Sequence, residues 1–229
     1  MWRKFFGPAT RIIGVDLNPV ARKWEADGFE IYIGDQSDEA FWERFFSTVG
    51  DVDIIIDDGG HTNEQQMVTA ISCIPRIKDS GMLIVEDTHT SYMESFGNPS
   101  RYSFISYAKY LLDAVNSRCP MVHASSNRLN KIIYSISFYE SIICFRVDRG
   151  RCCDSVPTVN RDISDEVEDF RNKGTLVEKV SSFQAGLKAR FRFLRRVPLA
   201  RRIARAGFAA FYFAHLCARS IRRRKYFSE

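Results

Sequence analysis

Six cysteines occur among the 229 residues, yet no two form a CxxC pair, which excludes the common zinc-ligand spacings. Cys152 and Cys153 are adjacent in a loop-like stretch and have no further ligand at a suitable spacing. With Cys73, Cys119, Cys144 and Cys217 they read as surface or structural thiols in a reducing setting. Long apolar runs are missing too. The least charged stretch, Ala206 to Ala218, is thirteen residues, about 20 Å of helix against a hydrocarbon core of about 30 Å. Met1 to Phe6 is too short and too charged for a secretory signal, so the expected setting is cytoplasmic. No internal repeat is found, and no histidine-plus-carboxylate triad stands at iron-binding spacing.

Acidic residues are scarce at one end only. From Lys179 onward 14 Lys/Arg face a single acid, Glu229, so this stretch carries +13 and the rest −8, for a net +5. The calculated pI of 8.9 therefore averages an acidic body with a basic tail and is no nucleic-acid footprint. A composition of 45% hydrophobic and 27% charged residues excludes disorder and supports one sizeable core with an appendage. The expected organisation is an α/β domain over residues 1–150, a polar connecting segment over 151–180 and a basic amphipathic tail over 181–229.

Within the body, β-branched runs alternate with helical spacing. Strands are expected at Arg11 to Asp16, Phe29 to Ile33, Val52 to Ile56 and Met82 to Val85. Helices are expected up to Asp27, over Asp38 to Val49 with Ser37 as N-cap, and over Asn63 to Ile77 before an Asp79-Ser80-Gly81 turn. A helix over Phe104 to Ser117 and a Pro120 turn lead to a closely joined strand pair, Lys131 to Phe138 and Glu140 to Val147, and a further helix is expected over Ser164 to Lys173. This order predicts a doubly wound, mostly parallel sheet of Rossmann-like type finished by an antiparallel hairpin.

In such a sheet, ligands bind beyond the carboxyl ends of the strands. Each of the four strands ends there in acid: Asp16, Asp35, Asp57 with Asp58, and Glu86 with Asp87. Crowded carboxylates repel unless a cation or hydrogen-bond donors compensate them. Asp58, Glu86 and Asp87 together suit Mg²⁺ or another oxyphilic divalent cation, whereas a single acid after a strand is more often a turn or cap residue. His61, three residues past Asp58 in a glycine-softened loop, is the candidate general base, balanced against a structural role. His89 is a second candidate, and His123 and His215 read as structural. Asp16 fits a ribose, and Asp35 with Gln36 fits an adenine edge.

The segments IIGVDLNP, IGDQSD, VDIIIDDGGHTNEQQ and MLIVEDTHTSY, in that order, resemble the S-adenosylmethionine-dependent O-methyltransferases of the macrocin, mycinamicin and rhamnosyl type, which are related to the cephalosporin hydroxylase family. The resemblance covers about residues 1–147. It implies a class I methyltransferase fold and Mg²⁺-dependent methyl transfer to a sugar hydroxyl of a glycoside, glycolipid or natural product. It also implies metal ligands at Asp58, Glu86 and Asp87, a general base at His61, and cofactor contacts at Asp16, Asp35, Gln36 and Asp57. Two departures stand out. The glycine-rich loop that the first strand of this fold carries is not found in this sequence, which fits an N-terminally shortened domain or a strand supplied from elsewhere, and Gly60 stands where some relatives have serine. The alternative reading is a non-catalytic methyltransferase remnant or a membrane-surface-binding module.

Residues 183–226 interleave arginine with aromatic and aliphatic residues. An anionic membrane surface is the favoured partner, ahead of oligomer contact and of nucleic acid, which would make the protein peripheral to the membrane.

Overall fold

The computed structural model describes residues 1–96, 101–119, 122, 127–156, 173–190 and 198–227. The Pro120 turn, His123 and the helix expected over Ser164 to Lys173 fall outside or almost wholly outside these. The chain divides into two compact units, Met1–Thr158 and Val159–Glu229.

The first unit is α/β. After a short helix α1 (Trp2–Phe6), strand β1 (Ile13–Asp16) pairs in parallel with β2 (Glu30–Ile33). Strand β3 (Val52–Asp57) pairs in parallel with β4 (Ile77–Val85). Beside β4 the hairpin β5 (Ile133–Tyr139) and β6 (Ile142–Val147) adds antiparallel strands, giving the order β3-β4-β6-β5. The expected single sheet is thus two: among the described residues no ladder joins β1 to β3.

Helix α2 (Glu39–Val49) holds the two sheets together. Its Phe41, Trp42, Phe45, Phe46 and Val49 fall on one face and are buried. Ile13, Val15 and Tyr32 of the first sheet and Val52 and Ile55 of the second pack against that face. Each such side chain contributes about 1.5–3 kcal/mol on burial, more than a strand pair of this length could supply alone. Helices α3 (Asn63–Cys73) and α4 (Phe104–Asn116) cover the larger sheet through Ala70, Phe104, Ala108 and Leu111, which meet Leu83, Val85, Ile143 and Phe145.

Two local expectations are corrected. The cap of α2 is Asp38, whose carboxylate accepts from Ala40 N at 2.9 Å, because Ser37 Oγ is already donating to Asp35 at 2.7 Å. The helix expected up to Asp27 is present as a 3₁₀ helix, Pro19–Asp27. The Asp79-Ser80-Gly81 turn lies inside β4, where pairing jumps from Val52↔Ile77 to Ile54↔Met82 and Ser80 takes φ 71°. The looped-out residues form a bulge that keeps the strand in its ladder on both sides.

In the second unit, helices α5 (Leu176–Arg190) and α6 (Pro198–Arg223) are described.

Candidate active site

The register Asp57↔Val85 brings the carboxyl ends of β3 and β4 side by side. Asp58 and Glu86, one residue further on, therefore begin neighbouring loops, and Glu86 N donates to Asp57 O at 2.9 Å. The β3 loop turns through Gly59 and Gly60. A Cβ at Gly59 would fall 2.0 Å from Gln36 Oε1, and one at Gly60 2.3 Å from the Gln65 amide, so a side chain at either position would require these glutamine amides to move. His61 follows with φ 59°, and Thr62 then caps α3 in a reciprocal capping box with Gln65.

The β4 loop mirrors this. Asp87 takes φ 53° before the 3₁₀ turn Thr88–Tyr92. A non-glycine residue in the left-handed region costs on the order of 1 kcal/mol and persists only where its neighbours hold it. Here the buried Thr90 does so for both: its Oγ1 lies 2.8 Å from His61 O and 2.8 Å from Asp87 O. Gln66, nearly fully buried, donates to Glu86 O at 3.0 Å and ties α3 to the end of β4. Asn63 accepts from Phe104 N at 2.8 Å and donates to Phe96 O at 3.0 Å, anchoring the start of α3 to the start of α4.

The outcome is a cluster. Asp58, His61 and Asp87 each offer a ligand atom within 4.8 Å of the others. His61 Nε2 stands 3.5 Å from Asp87 Oδ2, and His89 Nδ1 stands 3.8 Å from Asp87 Oδ1. Ser141, in the β5–β6 turn at φ 62°, lies 2.6 Å from His89 Nδ1 and donates to Asp87 Oδ1 at 3.5 Å. Glu86, predicted as a ligand beside Asp87, is not part of the 4.8 Å group.

The predicted cofactor acids sit elsewhere. Asp16 ends β1 and accepts from Asn18 N at 2.8 Å. Asp35, after β2, accepts from Ser37 Oγ and Ser37 N, which hold its carboxyl below the usual carboxylate range. Gln36 and Asp57 form an internal pair: Gln36 Nε2 donates to Asp57 Oδ1 at 3.0 Å, and Gln36 Oε1 accepts from Gly60 N at 2.8 Å. Through this bridge Gln36 braces the His61 loop. Thr90, Gln66, Asn63 and Ser141 were not singled out from the sequence. Thr90, Gln66 and Asn63 lie within the motif segments, but a buried hydroxyl or amide carries no periodic signal. Ser141 belongs to a hairpin remote in sequence.

Burial pushes the Asp57 carboxyl up from its ordinary value, opposed by the Gln36 amide and the Gly59 N–H. The folded state therefore holds its proton to higher pH than the unfolded chain does. The resulting contribution to stability is full below the unfolded pKa and is lost as pH rises through the folded one. Asp57→Asn keeps an acceptor for Gln36 and removes the charge. Its melting temperature should gain on the native chain as pH rises from about 4 towards neutrality and then hold a constant offset. Melting curves that stay parallel across this range would remove Asp57 as a strained buried carboxylate.

No family model matches the chain. Over 122 residues it is 34% identical to mycinamicin VI 2''-O-methyltransferase of Micromonospora griseorubida, covering 50% of this chain and 30% of that one. Over 100 residues it is 31% identical to demethylmacrocin O-methyltransferase of Streptomyces fradiae, covering 44% and 25%. The chain thus spans less than a third of the length of these curated relatives. Among solved structures, the MycE methyltransferase from the mycinamycin biosynthetic pathway, in complex with Mg, SAH and mycinamycin VI, superposes with a TM-score of 0.61 at 25% identity. That match covers 70% of this chain and 42% of MycE. The fold is that of a class I methyltransferase, and the resemblance is to S-adenosylmethionine-dependent O-methyltransferases of the mycinamicin and macrocin type.

Proposed function

We propose that this domain takes part in transferring a methyl group from S-adenosylmethionine to a sugar hydroxyl of a glycosylated small molecule or glycolipid. The observation that carries the reading is the convergence of Asp58, His61 and Asp87 at the ends of two adjacent parallel strands. The donor set fits a hard divalent cation, Mg²⁺ first, because two carboxylates on separate loops supply oxygen ligands and leave room for others. Asp58 and Asp87 would hold the cation, with Glu86 as the third carboxylate that the resemblance implies. When bound, the cation lowers the pKa of an acceptor hydroxyl and offsets the repulsion between the acids.

His61 would accept that hydroxyl's proton at a ring nitrogen, and bound S-adenosylmethionine would supply the methyl group, its sulfonium providing a neutral thioether as leaving group. Asp87, 3.5 Å from Nε2, orients the ring and stabilises its protonated form. Asp16 and Asp35, after β1 and β2, would receive the ribose and adenine of the cofactor, and Gln36, bonded to Asp57 and to Gly60 N, would brace the loop that carries His61. Residues 183–226 meet an anionic membrane surface, in a cytoplasmic setting; among the described residues no helix is long and apolar enough to cross a membrane.

Calorimetric titration of S-adenosylmethionine into the 229-residue chain, with Mg²⁺ and then with EDTA, tests the proposal. Micromolar affinity is the expected result. A folded chain that binds neither cofactor nor metal would favour the remnant reading.

A further inference from the structure

Helix α6 carries two distinct faces. Phe208, Phe211, Tyr212 and His215 lie half-buried along one side, with Phe211 and His215 stacked at 6.4 Å. A second side is open to solvent: Ala206, Ala210, Phe213, Cys217 and Ile221 follow one another at helical spacing and are all exposed. Phe213 is 69% exposed and Ile221 68%, far above what an isolated apolar side chain needs to be unremarkable when five share one stripe. The stripe is about 22 Å long. Among the exposed arginines, Arg202 stands one turn before Ala206 at the head of the stripe, Arg219, Arg222 and Arg223 lie towards the far side of the helix, and Arg224 and Lys225 follow in the terminal 3₁₀ turn.

We infer that the Ala206–Ile221 stripe of α6 seats in the headgroup region of an anionic lipid surface, with the cations at the two ends of the helix, Arg202 and the Arg222–Lys225 run, reaching the phosphates. The inference rests on the membrane-surface reading of residues 183–226 and names the face and the side chains that make the contact. Charge decides the occupant. A second copy of the helix laid on this stripe would cover the apolar side chains but offer the arginines no carboxylate, because no acidic residue occurs from Lys179 to Tyr226. Nucleic acid satisfies the arginines but leaves Phe213, Cys217 and Ile221 in water. An anionic interface satisfies both at once, since the apolar face enters about 5–10 Å into the headgroup boundary while the cations stay at phosphate depth.

The test is co-sedimentation of the full chain with vesicles of equal parts phosphatidylcholine and phosphatidylglycerol, and with phosphatidylcholine vesicles alone. Binding is expected to the first only and to weaken with added salt. Phe213→Asp/Ile221→Asp should lower it on the order of a hundredfold. Arg222→Gln/Arg223→Gln should lower it less and flatten its salt dependence, and because these positions are exposed the variants retain the native melting temperature. Three results would overturn the inference: no binding to anionic vesicles; binding untouched by Phe213→Asp/Ile221→Asp; or an oligomer in sedimentation, or heparin binding, lost with that variant while vesicles are ignored. S-adenosylmethionine titration of the same samples separates the two proposals, because a chain that binds the cofactor and ignores vesicles sinks only this one.

Discussion

Asp58→Asn combined with Asp87→Asn should abolish divalent-cation binding while leaving the domain folded. Both carboxylates are largely solvent-facing, with Asp58 exposed and the Asp87 side chain at 45%, so their loss leaves no buried partner stranded. The amides preserve size but remove two negative charges from a site whose affinity for a hard cation follows ligand charge. A fall of at least about a hundredfold in Mn²⁺ affinity, read by electron paramagnetic resonance of the free ion, is the expected result. Melting temperature should rise or stay level, because two neighbouring acids no longer repel. Unchanged Mn²⁺ affinity would sink the proposed site outright. Glu86→Gln alone resolves the one ligand that the resemblance supplies and the 4.8 Å cluster omits: an affinity loss enrols it, and an unaltered one leaves Asp58 and Asp87 as the holding pair.

His61→Ala should slow methyl transfer by about 10²–10⁴-fold, the usual contribution of a positioned general base. Transfer is read as S-adenosylhomocysteine formed with a fixed acceptor. Cofactor and Mn²⁺ affinities should change little, which separates a missing base from a collapsed loop. The loop is braced independently of the imidazole: Thr90 Oγ1 holds the His61 carbonyl and Gln36 holds Gly60 N, both through backbone atoms. His89→Ala tests the competing imidazole, which sits on the other oxygen of Asp87 and against Ser141. Equal rates for His61→Ala and the native chain would remove His61 from the chemistry, and a large loss in His89→Ala alone would pass the role to His89.

Much of the first unit was legible because its signals are local. Short β-branched runs ending in acid marked β1 to β4, and the aromatic face of α2 followed from a period of 3.6. Parallel pairing followed from the alternation of strands with helices. From this the acids at the strand ends, and His61 in the loop beside them, could be named by residue. Where prediction missed, the cause was competition between neighbours. Asp38 caps α2 because Asp35 had already engaged Ser37, and the Ser80 turn became a bulge because pairing with β3 on both sides outweighed breaking the strand.

By itself the sequence determined the class of fold, the strand-end placement of the acids and the charge contrast between body and tail, since each depends on composition or short-range period. Only the tertiary structure decided which acids meet. Register set Asp57 beside Val85, and left-handed backbone at His61 and Asp87, pinned by one buried threonine, turned both side chains towards Asp58. It also divided the sheet in two and committed Gln36 and Asp57 to each other. The contacts of Thr90 with His61 and of Gln36 with Asp57 join residues more than twenty positions apart, and no local preference of either partner records them.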